Sequence, residues 1–472
     1  MKIKNLSLVL LLSAFIVITG VIFLKNYETE TLVDAKWNEK EDTLLAITIE
    51  GEEVSSFPTT KNYTASVICT KGSGTALWNG NKWVFNAIGI NQTKTKCNVN
   101  FETIPTWDTP KAGTLLAAIK RDNTVSIPTT TPGSEVSADT EAVLASTQDD
   151  YGTSYYFRGA VTNNFVEYAN MCWRIVRVTG NGSIKLVLYN YNGLTSTNNT
   201  PASSTPCNVT GNDLAFARYE GDTYTSAFNS SYNDNAYVGL MYGTAGASSY
   251  ADAHTNTNAS TILTNLNKWY TNVLSKQANF KDSQLADTIW CNDKSVVTDA
   301  TFNPGKYTLG TNYGYGANIN YYSASKRLLQ ASSFSAGGTG PSLMCPNDHT
   351  GGKLSKFTVS DTTYGNGALS GYAKIGLLTA DEIAFAGGAY STTNSTYYIK
   401  GNTNSNFLWA LSPSVFSGDG AFVWGVYGNG GDLDDGVVNG VGGVRPSLSL
   451  QSGVKISSSG IGSATNPYKI VA

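Results

Sequence analysis

The residues best suited to chemistry in this sequence lie in a Gly-, Asp- and Asn-rich stretch between residues 417 and 442. This stretch mixes single aromatic side chains with carboxylates and carboxamides, and it has neither a helical nor a strand period. Aromatic side chains set among small polar residues are typical of adaptable binding surfaces. We therefore expect ligand contacts from the side chains Phe422, Trp424, Tyr427, Asn429, Asp432, Asp434, Asp435 and Asn439.

Two other interpretations of this stretch stay open. Trp424 could pack beneath the segment instead of facing a ligand, because large aromatic side chains dominate protein cores. The whole segment could also be a Gly-rich surface loop that binds nothing, since loops tolerate such composition without a function.

The carboxylates of the stretch, Asp432, Asp434 and Asp435, together with Asp419, raise the question of calcium, which prefers oxygen ligands. The run departs from the EF-hand pattern, because Gly436 comes one place early and the closing Glu is missing. We expect no cofactor. Calcium stays an alternative to the simpler interpretation of a solvated acidic loop.

Catalytic motifs are missing from the sequence. No Cys or His lies between residues 409 and 445, and the two histidines, His254 and His349, are expected to be exposed in polar tracts. A three-histidine metal site cannot be built from two histidines. Neither a Walker loop nor a GxSxG elbow is present. The sequence therefore favours binding over catalysis.

The elements that position the stretch are predicted on both sides of it. Residues 407–411 are apolar and aromatic, residues 444–450 alternate, and both patterns predict strands. Arg445 precedes Pro446 and is expected to tie the base of the segment through hydrogen bonds. These strands would hold the segment against a core.

Further local signals indicate an α+β fold. An Asn181-Gly182 turn predicts a hairpin that contains Arg174 and Arg177. Those two arginines are an odd number of residues apart and would face opposite sides of a strand, so at least one should be buried or paired. Residues 260–276 have helical periodicity, and Thr379 to Glu382 fits a capping box.

Six cysteines in a chain with an export signal predict three disulfides. Six cysteines permit about 15 pairings, and the sequence alone does not choose among them. Because bridges rarely cross linkers, we expect the pairs Cys69–Cys97, Cys172–Cys207 and Cys291–Cys345.

Residues 1–25 predict an uncleaved signal anchor, because a basic start precedes an apolar run long enough to span a membrane. The chain would then be a single-pass protein of the cell membrane with its C-terminal part outside. Charged residues make up only 14% of the chain, and without a basic patch a nucleic-acid partner is not expected.

We expect five segments along the chain. The anchor is followed by a polar stalk over residues 26–44 and by a small all-β, immunoglobulin-like sandwich over residues 45–103, which holds Cys69 and Cys97 on strands. A Pro- and Thr-rich semi-flexible linker over residues 104–148 follows, interrupted by one short helix-like piece at residues 113–120. Residues 149–472 form the ligand-binding domain.

The order of motifs in the last segment resembles a known fold. The motifs are MCWRIVR at 171–177, STILTNLNKWY at 260–270, GLLTADEIAFAGG at 376–388, LWALSPS at 408–414 and GVRPSLSL at 443–450. This pattern resembles the C-type-lectin-like fold of the formylglycine-generating-enzyme (sulfatase-modifying factor) superfamily. It is similar in particular to uncharacterised exported proteins of Gram-positive gut bacteria.

That resemblance implies a function. Some members of the superfamily are variable proteins of diversity-generating retroelements, whose C-terminal segment is diversified at adenine-containing codons. The resemblance implies a surface-displayed, adhesin-like protein that binds an unknown protein or glycan through residues 417–442. The alternatives are an extracellular enzyme of the same fold with Cys291 or Cys345 free, and a structural cell-envelope protein without a ligand.

Overall fold

The computed structural model describes residues 43–89, 95–134, 136, 141–247, 249–295, 320–329, 340–346, 355–358, 374–403, 407–417, 420–457 and 459–471. The predicted anchor (1–25) and all but the last two residues of the predicted stalk (26–44) lie outside this range, as do Asp419 and His349. Within it, no helix has the length and apolar character needed to cross a membrane.

The chain divides into two compact units, Met1–Pro105 and Thr106–Ala472. Strands account for 36% and helices for 15% of the structure, and the strands form several sheets. These proportions confirm the predicted α+β class.

The first unit is built from strands and has its own apolar core. β1 runs parallel to β6, and β3 runs antiparallel to β6 on its other side. Val99, Phe101 and Trp83 form the centre of the core. The strands are β1 (Thr43–Ile49), β2 (Glu52–Glu53), β3 (Tyr63–Cys69), β4 (Ser73–Trp78), β5 (Trp83–Ile88) and β6 (Thr95–Thr103), with sheet order β2-β1-β6-β3 and a separate β4-β5 hairpin.

The disulfide of this unit lies within one sheet. Cys69 and Cys97 are direct partners across β3 and β6, with their Cα atoms 4.1 Å apart. The bridge of an immunoglobulin domain instead joins two sheets. The cysteines therefore do not supply the hallmark on which the immunoglobulin-like prediction was based.

The second unit contains two large sheets and short helices. Its strands are β7 (Ala142–Asp149), β8 (Gly152–Gly159), β9 (Phe165–Tyr168), β10 (Met171–Val178), β11 (Ile184–Asn190), β12 (Thr225–Ala227), β13 (Met241–Tyr242), β14 (Asn258–Ala259), β15 (Trp290–Cys291), β16 (Asn320–Tyr321), β17 (Lys356–Phe357), β18 (Leu408–Ser417), β19 (Gly420–Val426), β20 (Leu433–Val437), β21 (Val441–Gly443), β22 (Ser447–Leu450) and β23 (Tyr468–Lys469). Its helices are α1 (Leu115–Asp122), α2 (Tyr250–His254), α3 (Thr261–Asn272), α4 (Ser323–Leu328) and α5 (Ala380–Ala386).

The larger sheet has the order β22-β11-β10-β8-β7, with β9 and β23 paired beyond β10. Its central strands β10 and β11 are buried along their whole length, which fits their nearly continuous apolar sequences. The second sheet has the order β12-β21-β18-β19-β20, and β16 pairs with β18. This second sheet contains most of the predicted ligand-binding segment.

Local sequence signals are confirmed in this unit. The Asn181-Gly182 turn joins β10 to β11, and Ser260 caps α3 by accepting a hydrogen bond from the backbone N–H of Leu263. The capping box of α5 forms between Thr379 and Glu382. The structure also has the three predicted disulfides, which indicate an extracellular or otherwise oxidising location.

The segment 104–148 is not the linker that its composition suggested. Leu115, Leu116 and Ile119 of α1 are fully buried in the main core, and β7 pairs with β8 over its whole length. Thr114 caps α1 by accepting a hydrogen bond from the backbone N–H of Ala117. The predicted helix-like piece at residues 113–120 corresponds to α1, but the prolines and threonines around it suggested a linker, so the predicted boundary at residue 149 falls at the end of a core strand.

This difference can be measured with a core substitution in α1. We expect Leu116→Ala to lower the free energy of unfolding of the second unit by about 2–5 kcal/mol, because it removes a fully buried side chain. Urea denaturation of the purified chain measures the change. The control Ile127→Ala alters a side chain that is 91% exposed and should change stability by less than about 0.5 kcal/mol. Equal, small effects of both substitutions would restore the linker interpretation.

Candidate functional site

The segment 417–442 is an antiparallel meander, so the expectation of an irregular loop is wrong. β18, β19 and β20 pair in succession, with Phe422 opposite Val437 and Gly425 opposite Asp434. β21 returns to lie beside β18. The predicted site is therefore a sheet with connecting turns, and its side chains divide between two faces.

The glycines of the meander explain why its sequence lacks a strand period. A Cβ atom on Gly425 would lie 2.2 Å from the Phe407 ring, and one on Gly436 would lie 3.3 Å from the Trp409 ring. Gly442 is also covered by Trp409, at 2.8 Å from Nε1. Glycines therefore occupy three strands at the places where two aromatic rings, edge-to-face with centroids 4.9 Å apart, pack against the sheet. The glycines serve close packing.

A single methyl group tests this packing. We expect Gly425→Ala to destabilise the second unit by about 1–3 kcal/mol, because the new Cβ overlaps the Phe407 ring and the carbonyl oxygen of Leu408. Chemical denaturation reports the loss. Gly453→Ala is the matched control, since no atom lies within 4 Å of its added Cβ. A flexible loop would accept both substitutions equally well.

The eight predicted contact residues divide into three groups by exposure. Tyr427, Asn429 and Asn439 are exposed. Partial burial is shared by Phe422, Asp432, Asp434 and Asp435. Trp424 is buried, with 1% of its surface exposed.

Trp424 belongs to the core, so its prediction as a ligand contact is wrong. Its indole Nε1 donates a hydrogen bond to Ser325 Oγ of α4 at 3.1 Å. Its ring meets Tyr390 edge-on at 5.7 Å between centroids. Ser325 Oγ donates in turn to the carbonyl of Ser414 on β18 at 2.9 Å. The indole thus joins α4 to the sheet, which is the packing alternative for this residue.

The turn between β19 and β20 presents the exposed residues and is fixed at several points. The N–H of Tyr427 donates to the carbonyl of Asp432 at 3.0 Å, and the N–H of Gly431 donates to the carbonyl of Tyr427 at 2.7 Å. From below, the Tyr397 hydroxyl donates to the Gly431 carbonyl at 2.8 Å. Gly431 has φ +79°, and a Cβ there would meet the Asn394 carbonyl at 2.1 Å. The turn is therefore preorganised.

Tyr427 combines an exposed ring with a negative surrounding. It is 44% exposed and rests edge-on against Phe407 at 5.2 Å. Partial burial, and then the charges of Asp434, Asp432 and Asp435, raise the pKa of its hydroxyl. Among the ion pairs of the described residues, none includes these three carboxylates. The surface around Tyr427 is thus aromatic and anionic.

Two of the carboxylates also serve the sheet. β20 is the last strand of its sheet. The backbone groups of Asp432 and Val438 bond to the chain of β19 and its turn. Because alternate residues of a strand direct their N–H groups to opposite sides, the N–H of Asp435 points away from β19. Asp434 Oδ1 accepts this outward N–H at 2.8 Å, while Asp435 Oδ2 accepts from Ser414 Oγ at 2.6 Å. Burial is the main cause that raises the pKa of both carboxyls. Charged side chains at such an edge oppose pairing with another strand.

The carboxylates of β20 do not converge on one point. Strand alternation places Asp434 and Asp435 on opposite faces. Within the described part of the chain, no group of three or more His, Cys, Asp or Glu side chains is arranged to hold a metal ion. The calcium alternative therefore gains no site from Asp432, Asp434 and Asp435.

A second charged cluster was not predicted as a unit. Arg177 binds Asp149 through Nη1 at 2.6 Å and Glu382 through Nε at 2.9 Å, and Lys185 reaches the other oxygen of Glu382 at 2.8 Å. All four side chains are at most 10% exposed. The expected burial or pairing of an arginine on β10 is therefore confirmed, since Arg174 is buried as well.

The cluster continues towards α4 and lines a cleft. Arg327 binds Asp381 through Nε at 2.6 Å and Asp293 through Nη1 at 2.9 Å. The cleft beside these residues and the Cys291–Cys345 bridge encloses about 480 Å³, including space open to solvent. Every arginine and lysine that lines it is already bound to a carboxylate, which indicates a structural network.

Glu382 is the centre of this network. Burial alone would raise the pKa of its carboxyl, but the charges of Lys185 and Arg177, with hydrogen bonds from Lys185 and the Thr379 N–H, lower it to about 2. The ordinary value is 4.5. The ionised form is therefore strongly favoured in the folded state.

The lowered pKa of Glu382 predicts acid sensitivity. A depressed folded-state pKa gives stability that is present above about pH 4.5 and is lost as the pH falls towards 2. The change is on the order of 3 kcal/mol for this group. Urea denaturation at a series of pH values measures it.

Glu382→Gln provides the comparison. At neutral pH the variant should be less stable, because Lys185 and Arg177 lose their shared carboxylate, and its stability should approach that of the parent chain as the pH falls. A stability gap that stays constant from pH 7 to pH 2 would contradict this role for the carboxylate.

The histidine and the cysteines that were considered for chemistry have structural positions instead. His254, expected to be exposed, is fully buried, and its ring nitrogens lie 2.9 Å from the Tyr250 carbonyl and 3.2 Å from the Tyr322 hydroxyl. Cys291 and Cys345 are bonded to each other. Neither is the free thiol that the enzyme alternative requires.

Comparison with known families, with curated proteins and with solved structures gives no match for this chain.

Proposed function

We propose that this protein is a surface-displayed, adhesin-like protein that binds its ligand through the turn between β19 and β20. The single observation that carries the proposal is the exposed Tyr427 ring on a turn held by buried side chains. A rigid aromatic side chain loses little conformational entropy when a ligand covers it. The neighbouring Asn429 and Asp432 supply hydrogen-bonding groups on the same turn. The side chains of this turn, together with Asn439 on the next turn, are called the rim.

The proposed ligand-contact residues are chosen by the exposure of their side chains. Tyr427, Asn429 and Asp432 form its centre, and Asn439 lies on the next turn along the meander. Phe422 lies on the sheet beside Gly420, which Tyr232 also approaches. Trp424 is left out because it is buried. The ligand is a protein or a glycan, since aromatic rings with adjacent carboxylates and carboxamides serve both.

The fold of the second unit is proposed to be C-type-lectin-like, as in the formylglycine-generating-enzyme superfamily. Support comes from the motif order, which ends with α5, β18, an inserted meander and β22. The first unit is proposed as an immunoglobulin-like spacer that follows a membrane anchor at residues 1–25. The three disulfides support an extracellular position for both units.

Diversification by a retroelement is proposed for the same rim. Asn429 and Asn439 are exposed and lie on turns outside the core, so their replacement would leave the core packing unchanged. The surrounding DNA provides the test. A reverse-transcriptase gene beside a near-copy of the 3′ segment that differs at adenines is the expected result, and their absence would end this part of the proposal.

Binding itself is tested with the whole chain, because truncation at residue 149 would remove α1 and β7. We expect the double substitution Tyr427→Ala and Asp432→Asn to weaken binding at least about tenfold for a ligand found on a glycan array or a panel of extracellular proteins. The matched control, Val209→Ala with Ile461→Ala, changes side chains that are 37% and 52% exposed elsewhere on the second unit. Thermal melts confirm that all variants fold.

The outcome separates the hypotheses. Loss of a ligand in the double variant and its retention in the control support the proposed site. Equal binding by the parent chain, the double variant and the control would overturn the proposed site. Absence of a ligand from both the glycan array and the protein panel would do the same and would favour a structural cell-envelope protein.

A further inference from the structure

Two buried arginines of the second unit have no carboxylate partner among the residues that the structure describes. Arg174 and Arg445 are 4% and 2% exposed. Arg174 donates from Nε to Asn164 Oδ1 and from Nη2 to the Val161 carbonyl, both at 2.6 Å. None of the ion pairs among the described residues includes either guanidinium. Their positive charges are thus not compensated by a bound acidic side chain.

The two guanidiniums share one aromatic environment. The Arg174 guanidinium carbon lies 5.5 Å from the ring centroid of Tyr189 and 5.2 Å from that of Tyr398. Arg445 donates to the carbonyls of Leu188 and Ile399, the residues adjacent to those two tyrosines. Arg445 is thus bonded to the backbone beside both tyrosines, and Tyr189 and Tyr398 act electrostatically on Arg445 as they do on Arg174.

Electrostatics agrees with this proximity. Burial, opposed by Tyr189 and Tyr398 and supported to a lesser degree by the charge of Arg445, lowers the pKa of Arg174 to about 9. Burial likewise lowers the pKa of Arg445 to about 10. Glu382 also acts on Tyr398, but its two oxygens already bind Arg177 and Lys185. Two like charges in a low-dielectric interior repel each other strongly unless a negative charge lies nearby.

Two donors of this group of residues have no acceptor among the described residues. Arg445 Nη2 and the Tyr398 hydroxyl are buried, and neither has a hydrogen-bond partner in the described part of the chain. Leaving a charged donor unsatisfied in a protein core is strongly destabilising. Ionisation of Tyr398 does not relieve the charge, because burial raises the pKa of its hydroxyl. An acceptor from outside the polypeptide would satisfy both donors.

We propose that a small monovalent anion, with the size and charge of chloride, binds in the core between Arg445 Nη2 and the Tyr398 hydroxyl, next to Arg174. A water molecule would accept the same hydrogen bonds but would not balance the charge. Arg174, Tyr189, Tyr398 and Arg445 are each at most 6% exposed. The site therefore suits an ion enclosed on folding rather than a larger ligand that exchanges with solvent.

This site is independent of the proposed surface function, although it lies close to the residues that support the binding turn. Tyr397, next to Tyr398 in the chain, donates its hydroxyl hydrogen bond to Gly431 of that turn. Arg445 precedes β22, which pairs with β11 of the larger sheet. An anion here would join the larger sheet to the base of the meander.

The first experiment is an unfolding titration of the whole chain. Chloride is varied over a roughly hundredfold range at constant ionic strength, with a large organic anion as the replacement, and urea unfolding is followed. Each tenfold rise in chloride above its dissociation constant should lower the unfolding equilibrium constant about tenfold, because the ion binds only the folded state. Unfolding that is independent of chloride would overturn the proposal.

Variants locate the ion without removing a charge. Tyr398→Phe deletes only the hydroxyl and should weaken the affinity for chloride about tenfold, which shifts the onset of the chloride dependence to higher concentration. Tyr168→Phe also deletes a buried tyrosine's hydroxyl, one that donates to the Lys281 carbonyl, and should keep the parent chloride dependence. Equal responses from the two variants would contradict a site at Tyr398.

Crystals grown with bromide in place of chloride give a direct readout. We expect an anomalous peak within hydrogen-bonding distance of Arg445 Nη2 in the parent chain and a weaker peak in Tyr398→Phe. Density without an anomalous signal at that position would identify a water molecule, and the proposal would fail.

Discussion

The architecture of the second unit depends on buried charged side chains that hold α5, a helix of seven residues, in place. At its start, Glu382 closes the capping box of α5 and accepts hydrogen bonds from Arg177 on β10 and Lys185 on β11. At its end, Arg158 on β8 donates to the carbonyls of Ala384 and Phe385. Isolated helices of this length are unstable in water. The larger sheet therefore supplies the partners that both ends of α5 need, and the helix has one position in the fold.

The position of α5 fixes the surface beyond it. The chain after α5 turns at Gly387, where the Asn394 amide binds the Gly387 carbonyl, and then meets the first residue of β20. The Tyr397 hydroxyl binds the turn between β19 and β20. Residues 387–397 therefore connect the buried ion pairs around α5 to the turn that carries Tyr427. The turn that carries Tyr427 is therefore held from below by a segment that is itself hydrogen-bonded near both ends.

Sequence reasoning succeeded where partners are close in the chain. The Asn181-Gly182 hairpin, the Ser260 cap and the capping box involve residues a few positions apart, so their chemistry is visible in a short window. The cluster around Glu382 is different, because Arg177 lies 205 positions away. Nothing in either local sequence specifies that pairing. The spacing of Arg174 and Arg177 predicted a buried arginine but not its partner.

The errors at the site have a common physical origin. Glycine in a sequence signals a turn or a flexible loop, yet Gly425, Gly436 and Gly442 are glycines because aromatic rings lie on them. The rings belong to Trp409, on β18, and to Phe407, just before β18. The pattern of glycines can therefore be explained only when the strand register is known. Composition suggested an irregular loop where the structure has paired strands.

The register also separates positions that the sequence treats alike. Trp424 and Tyr427 are aromatic residues three apart in one Gly-rich run, but β19 ends at Val426. Trp424 therefore lies within the strand and faces α4, whereas Tyr427 begins the turn and faces solvent. Variation at Trp424 would disturb the contact between α4 and the sheet, while variation at Asn429 alters only the rim. The proposed diversification requires this division, because side chains can then be exchanged without loss of the scaffold that presents them.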